Sequence, residues 1–521
     1  MRRYLLTLAL LAVAAPAHAK RAPQPAASVF DKSGIADWTK PPPPTKEPTF
    51  KPPVAKRLKL ANGIPLLVIE NHALPIVSMT VLVRGAGAAA DPAGKGGLAA
   101  FSADLLDEGA GGLSAIGIAE ETDRLGASIG IGVDTDAGYI WVSTLAKTLD
   151  PTLDLLAKVI TQPAFDDKEA ERVKGDRVTS LELRRDRPRE VASLILDAML
   201  YGAGSPYGHP TSGTREGFKT LGVSDARAFY KARWTPGALT IVVAGDVEPK
   251  ALKAKLDQQL GAWKMPGARK PPAPVTTPAK PAQRLLLVDR KDAAQSDVRI
   301  GLVGLARKDK RYPAFEVFRT TLGDGFTSRL TQRLREQLGI TYGASASQDY
   351  RVARGPFVIG TAIVTPATGQ GVGEVLKIVD ALNTTNIPAD ELEKSKQNII
   401  RALPSMFGTN AATAGAFADL ALHGLPDNYY ATYAAAIRKV TAKDVKAAAK
   451  AVVPTNKLVI AIVGDLAKIK PDLDKLGLGE PVMHDLYGVR LETKAELDDR
   501  QQRKKQQLDL EVSSRRQTEQ R

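Results

Sequence analysis

The chain has 521 residues, 44% of them apolar, and a formal net charge of +15. That length allows two to four domains of ordinary size, and the absence of cysteine excludes a disulfide framework, a thiolate zinc site and a cysteine nucleophile. The charge raises nucleic acid as a partner, but base-stacking aromatics are not interleaved with the basic residues. A lysine-rich solvated surface accounts for it, as does attraction to acidic peptides or anionic envelope surfaces.

The N-terminus reads as a secretory signal peptide. Arg2 and Arg3 give the positive start, Leu5 to Ala15 the apolar run, and Ala17-His18-Ala19 the small-x-small cleavage pattern. Cleavage is expected after Ala19. The apolar run is too short for a membrane span, and no later one is long enough. No cysteine follows the cleavage site to take a lipid anchor. A periplasmic or secreted location is expected, which also argues against nucleic acid.

Residues 20–53 are rich in proline and lysine and read as an extended or disordered leader. A first domain is expected over 54–264. Pro65 to Glu70 and Val77 to Arg84 read as strands, then a helix opens at Gly97. Ser114 to Leu125 reads as a helix capped by Ser114. Ser128 to Val133 and Gly138 to Leu145 read as a strand pair. Helices follow at Thr148 to Ile160, Asp167 to Arg185, Glu190 to Tyr201 and Ser224 to Trp234, and a buried strand at Ala238 to Ala244. Residues 265–283 are too proline-dense for a helix or central strand and read as a linker.

The second half, 284–487, repeats the plan. Arg284 to Val288, Val298 to Leu302 and Phe357 to Val364 read as strands. Tyr312 to Leu322, Gln370 to Leu382 and Asp390 to Leu403 read as helices. VSDARAFYKARWTPGALTIVVAGDV from Val223 matches TAKDVKAAAKAVVPTNKLVIAIVGDL from Thr441, with Asp225 to Gly245 and Asp444 to Gly464 both 20 residues apart. The expected fold class is therefore α+β: two homologous domains, each a mixed, largely antiparallel sheet with helices packed on one face. Residues 488–521 are charged and apolar-poor, a tail without a core.

GGLAAFSADLLDEGAGG, Gly96 to Gly112, resembles the zinc helix of the pitrilysin-like (insulinase-type) peptidases, which carry H-x-x-E-H there. NGIPLLVIENHALPIVSMTVLVRGAGAAADPAGKGGLA resembles that family's opening hairpin, SPYGHPTSGT (Ser205 to Thr214) its turn after the third-ligand helix, and LGDGFTSRLTQRLREQLGITYGASAS (Leu322 to Ser347) its second-domain signature. The resemblance covers roughly 55 to 475 and implies the mitochondrial-processing-peptidase-like fold. In its frame the two histidine positions hold Ala100 and Asp104, and the glutamate position holds Ala103. Alanine offers neither a lone pair for a metal nor a group to take a proton, so no metal and no catalytic residue are expected in this chain. Glu182 stands near the family's third-ligand place. It reads as an exposed helix carboxylate, or with Asp104 as a two-carboxylate remnant.

The family also places an Arg and a Tyr seven residues apart in the second domain, where they approach substrate bound at the first domain's zinc. Arg335 and Tyr342 stand at that spacing, with Gly339 between. The resemblance implies that they bind substrate; the plain reading is a surface arginine and a half-buried tyrosine. Gly323 and Gly325 resemble the family's glycine-rich loop, or are simply a turn. In two-chain members one subunit carries the zinc motif and the other the Arg/Tyr pair. The resemblance thus implies a non-catalytic subunit, partnered by a zinc-bearing subunit with H-x-x-E-H and acting on unfolded peptides. The alternative is a stand-alone peptide-binding or scaffold protein of the cell envelope. His72 and His209 are lone histidines, and no Gly-x-Ser-x-Gly elbow or P-loop ending is present.

Overall fold

The structure is a computed structural model that describes residues 50–264, 284–498, 500–502 and 506. The expected signal peptide with its cleavage site, the leader up to residue 49, the linker at 265–283 and most of the tail lie outside the described residues. Of the unit formed by residues 1–51, only Phe50 and Lys51 are described, both exposed. The unit from Pro52 onward holds every element below.

The first half contributes β1 (Lys56–Lys59), β2 (Pro65–Glu70), β3 (Ile76–Arg84), a two-residue ladder of β4 (Gly109–Ala110) and β5 (Leu113–Ser114), then β6 (Ser128–Val133), β7 (Ala137–Leu145) and β8 (Leu239–Gly245). Six of these form one sheet in the order β1-β2-β8-β3-β7-β6. The second half contributes β9 (Leu285–Asp289), β10 (Gln295–Val303), β11 (Thr341–Gln348), β12 (Pro356–Val364), β13 (Val459–Gly464) and β14 (Val482–His484), in the order β11-β12-β10-β13-β9-β14. Reversed, the second order matches the first over five strands, β9-β13-β10-β12-β11 against β2-β8-β3-β7-β6, while the outer strands differ, β1 running antiparallel to β2 and β14 parallel to β9. In both sheets the late strand lies parallel to the opening one, Leu66 opposite Ile241 in one and Leu285 opposite Ile460 in the other. The duplication expected from the two Gly-Asp endings is thus a duplication of topology. Most remaining pairings are antiparallel.

Each half packs its own helices on one face, as expected. Leu66, Val68, Ile241 and Val243 meet Leu98 and Phe101 of the helix Leu98–Asp104 and Leu153 and Leu156 of the helix Leu149–Thr161. Ile300 and Ile460 share a core with Phe315 and Phe318 of the helix Tyr312–Gly323. The other face of each sheet is covered as well, by a helix from the opposite half. Leu67, Ile69, Val242 and Ala244 belong to the same cluster as Ala414, Phe417 and Ala418 of the helix Asn410–His423. Leu286, Val288, Val459 and Ala461 pack with Val191, Ile195, Leu196 and Leu200 of the helix Pro188–Tyr201. Burial on both faces is why β8 and β13 read as unbroken apolar runs rather than alternating ones.

This exchange holds the halves together. Val191, Ile195, Leu196 and Leu200 are each at most 2% exposed, and burying such a side chain contributes about 1.5–3 kcal/mol. Polar bonds reinforce it. Asn410 Nδ2 donates to the Ile76 carbonyl (2.9 Å), and Asn71 Nδ2 to Asn410 Oδ1 (2.9 Å). The Tyr207 hydroxyl donates to Asp136 (2.6 Å), whose other oxygen accepts from the Val352 amide (2.7 Å). Residues just after 487 are also tied down: the Leu491 amide donates to the Met483 carbonyl on β14 (2.8 Å).

Candidate functional site

The helix Leu98–Asp104 is fixed from its first residue. Gly97 has φ 107°, a conformation an L side chain rarely adopts, and a Cβ there would meet Phe218 at 2.6 Å and the Gly213 Cα at 2.9 Å. The Thr214 amide donates to the Gly96 carbonyl (3.1 Å). The Gly96–Gly97 stretch and the 205–214 turn, read separately in the sequence, are therefore one packed unit. Asp91 caps the helix, accepting from the Gly97 and Ala99 amides (2.7 Å each), and burial pushes its carboxyl up to about 7.

Ala100 and Ala103 are 4% and 0% exposed, and Ala103 belongs to the first half's apolar core. Asp104 accepts both arms of Arg177, Nε and Nη2 at 2.6 Å each, from the helix Asp167–Glu182. Burial raises the Asp104 carboxyl while the Arg177 guanidinium opposes the rise. Beyond it, Glu108 pairs with Arg172, which also holds Glu169 (2.7 Å). Asp107 is pushed up to about 6 by burial, with Glu108 and Asp104 adding to it. Asp104, Asp107, Glu108, Arg172, Arg177 and Ile131 of β6 line a polar cleft of about 390 Å³.

Glu182 is turned elsewhere. Its carboxylate takes Arg215 Nε at 2.8 Å, and the Arg215 guanidinium lies 4.4 Å from the centre of the Tyr487 ring. A zinc ion needs several free lone pairs converging at about 2 Å. Here two positions hold alanine and each acid is held by its own arginine, so the residues present do not fit zinc. Among the described residues no group of three or more His, Asp or Glu is set to hold a metal. Sequence reasoning missed Arg177. It is legible only as a cation on a later helix, and nothing local ties it to an aspartate 73 positions away. His72 hydrogen-bonds Asp246 (2.7 Å), and His209 is a half-buried single histidine whose pKa is lowered by partial burial.

Arg335 and Tyr342 do come together. Arg335 lies on a wide, π-type helical turn, Thr331–Gln337, anchored by buried Leu334. Gly339, at φ 61°, turns the chain back into β11. The β11–β12 register slips between Thr341 and Ala344, and this bulge leaves Tyr342 85% exposed. The Arg335 guanidinium sits 4.8 Å from the Tyr342 ring centre and 5.5 Å from that of Phe326. Phe326 ends the LGDGF loop and is 54% exposed. Sequence reasoning named the glycines of that loop and not its phenylalanine. Loop, arginine and tyrosine make one exposed ledge of two rings and a stacked cation.

Comparison with known proteins identifies the family and supports the fold. Residues 66–206 match the family described as Insulinase (Peptidase family M16), and residues 220–399 match the Peptidase M16 inactive domain. The chain is 26% identical over 410 residues to a protein of Helicobacter pylori named "Non-peptidase homolog YmxG", covering 78% of this chain and 93% of that one. It is 27% identical over 296 residues to an uncharacterized zinc protease of Mycobacterium leprae, covering 56% and 65%. Among solved structures, a peptidase M16 inactive domain from Pseudomonas fluorescens superposes with a TM-score of 0.72 at 25% identity, over 79% of this chain and 97% of that one. With Ala100, Ala103 and Asp104 where the zinc motif would stand, the chain belongs to the insulinase (M16) peptidase family as an inactive, pitrilysin-like member.

Proposed function

We propose that this chain is an exported, non-catalytic subunit of a heteromeric M16 peptidase. It pairs with a zinc-bearing chain of the same family that carries H-x-x-E-H, and supplies Arg335 and Tyr342 to unfolded peptide bound there. The carrying observation is the exposure of Tyr342. A bulge holds the phenol out in solvent with Arg335 stacked on it, and among the described residues no hydrogen bond uses that hydroxyl. A guanidinium so placed holds a peptide carbonyl, and a phenol donates to the oxygen that becomes negative in a tetrahedral intermediate. Export rests on the Arg2-Arg3 start, the short apolar run and the Ala17-His18-Ala19 pattern. The test is purification from the native envelope followed by peptide-cleavage assay: the chain alone is inert, and the pair cleaves unfolded peptide in a chelator-sensitive way. Chelator-sensitive cleavage by the isolated chain overturns the reading.

A stand-alone peptide-binding or scaffold role is favoured by a different observation. β6 is an edge strand of the first sheet, and its Ile131 lines the polar cleft at Asp104. An exposed edge can take an extended peptide as an added strand without hydrolysing it. That reading predicts peptide binding by the isolated chain, unaffected by Arg335→Ala or Tyr342→Phe.

A further inference from the structure

The helix Pro188–Tyr201 packs on β9, β10 and β13 of the second sheet, and Arg189 at its N-terminal end borders an open space over β10, β12 and β11. On β10, Val298, Ile300 and Leu302 point into the half's own core, so Asp297 and Arg299 point to the face that this helix covers. Where the helix ends, a cleft of about 390 Å³ remains, lined among others by Arg189, Asp297, Arg299, Tyr342 and Ser345.

Arg299 is 5% exposed, which is unusual for a cation without a carboxylate partner. Its Nη1 donates to the neighbouring Val298 carbonyl (2.9 Å), and among the described residues it makes no ion pair. Opposite it in register stands Gly360, where a Cβ would lie 2.7 Å from Arg299 Nη1, so the missing side chain leaves the guanidinium its place on the sheet. Arg189, exposed at the start of the covering helix, lines the same space and also has no ion-pair partner among the described residues. Burial, with Arg189 adding to it, lowers Arg299 to about 10, so it remains cationic at neutral pH. Asp297 offsets one of the two charges. Burial raises its carboxyl although Arg299, Arg189 and Arg290 all pull the other way, as fits a carboxylate that no arginine clamps.

We propose that this cleft is a carboxylate-binding site for peptides, in which Arg299 and Arg189 hold the anion and Tyr342 forms part of the wall. The chemistry is that of a guanidinium pair meeting a planar two-oxygen anion. Asp297 is placed to accept from a peptide N–H beside it. Two sources supply such a group: the free C-terminus of a peptide, or an acidic side chain within one. The site belongs to this chain alone and stands whether or not a zinc-bearing partner exists.

The test is calorimetric titration of the full chain with three eight-residue peptides of one neutral sequence. One has a free C-terminal acid, one a C-terminal amide, and one an amide with a single internal glutamate. The proposal expects one or both carboxylate peptides to bind at least about tenfold tighter than the neutral amide, the size of a charge-assisted pair. Preference for the free acid assigns the C-terminus, preference for the glutamate peptide assigns the side chain, and binding of both assigns the shared group. Arg189→Ala, at an exposed position that does not threaten folding, weakens the carboxylate peptide about tenfold and leaves the neutral one unchanged; Arg299→Met does the same more strongly. Equal affinity for all three peptides, or full carboxylate affinity retained in Arg189→Ala, overturns the proposal. Neither result bears on partner-dependent cleavage, so this site and the subunit reading fail separately.

Discussion

Asp104→Asn and Arg177→Met, made singly and together, measure what now joins the 98–104 and 167–182 helices. The two N–O distances of 2.6 Å put the charge centres roughly 4 Å apart, an attraction of about 4 kcal/mol at an effective dielectric near 20. Two effects reduce it. The side chains remain 21% and 29% exposed, so water screens them, and burial already disfavours the ionised Asp104. A coupling energy of about 1.5–3 kcal/mol is expected from the double-mutant cycle. Either single change leaves one partly buried charge without its partner and costs about 2–3 kcal/mol; the double change costs clearly less than the sum of the two. The assay is urea unfolding of the four proteins at neutral pH. A coupling energy below about 0.5 kcal/mol would refute the idea that this pair is the structural link between the two helices.

The ledge is expected to be separable from stability. Arg335→Ala and Tyr342→Phe each change unfolding free energy by less than about 0.5 kcal/mol, while in a partner complex Tyr342→Phe lowers kcat about 100-fold or more, the usual loss for one oxyanion donor. The exchanged helix is expected to unite the halves: Leu196→Ala costs about 2–5 kcal/mol and splits or broadens the calorimetric transition. Asp107, pushed up to about 6, should make stability fall as pH rises. Its proton is bound more tightly in the folded state, so the contribution is complete below the ordinary aspartate pKa and is lost as pH climbs through about 6. Asp107→Asn is thus expected to raise stability at pH 7.5 by up to about 2 kcal/mol and change it little at pH 4, read by chemical denaturation at both pH values.

Much of the scaffold was legible because its signals are local. Asp225 and Asp444 read as matching marks, and each accepts the amide three residues before it, Gly222 at 3.2 Å and Thr441 at 3.0 Å, at the start of its helix. Each helix then feeds the buried strand, β8 or β13, that lies parallel to its half's opening strand. Less legible were elements whose character depends on tertiary context. β11 reads TYGASASQ, small and polar, because it is an exposed edge with a bulge rather than a core strand. The alanine-rich helix Asn410–His423 escaped notice, and no periodicity could reveal that its small face lies on the other half's sheet. That neither Ala100 nor Ala103 can serve a metal centre, as ligand or as base, was plain from residue chemistry. That Arg177 and Arg215 had taken the two remaining acids was not, because those contacts cross long loops and register only in three dimensions.

Whether this chain is the zinc-free half of a peptidase is decided by affinity purification of the protein from its native envelope, with identification of co-purifying chains and a cleavage assay on the recovered material. A stoichiometric M16 chain carrying H-x-x-E-H is expected, with chelator-sensitive cleavage of unfolded peptide that Tyr342→Phe depresses. Recovery of this chain alone, with or without bound peptide, would contradict that assignment and leave the stand-alone binding protein as the reading that survives.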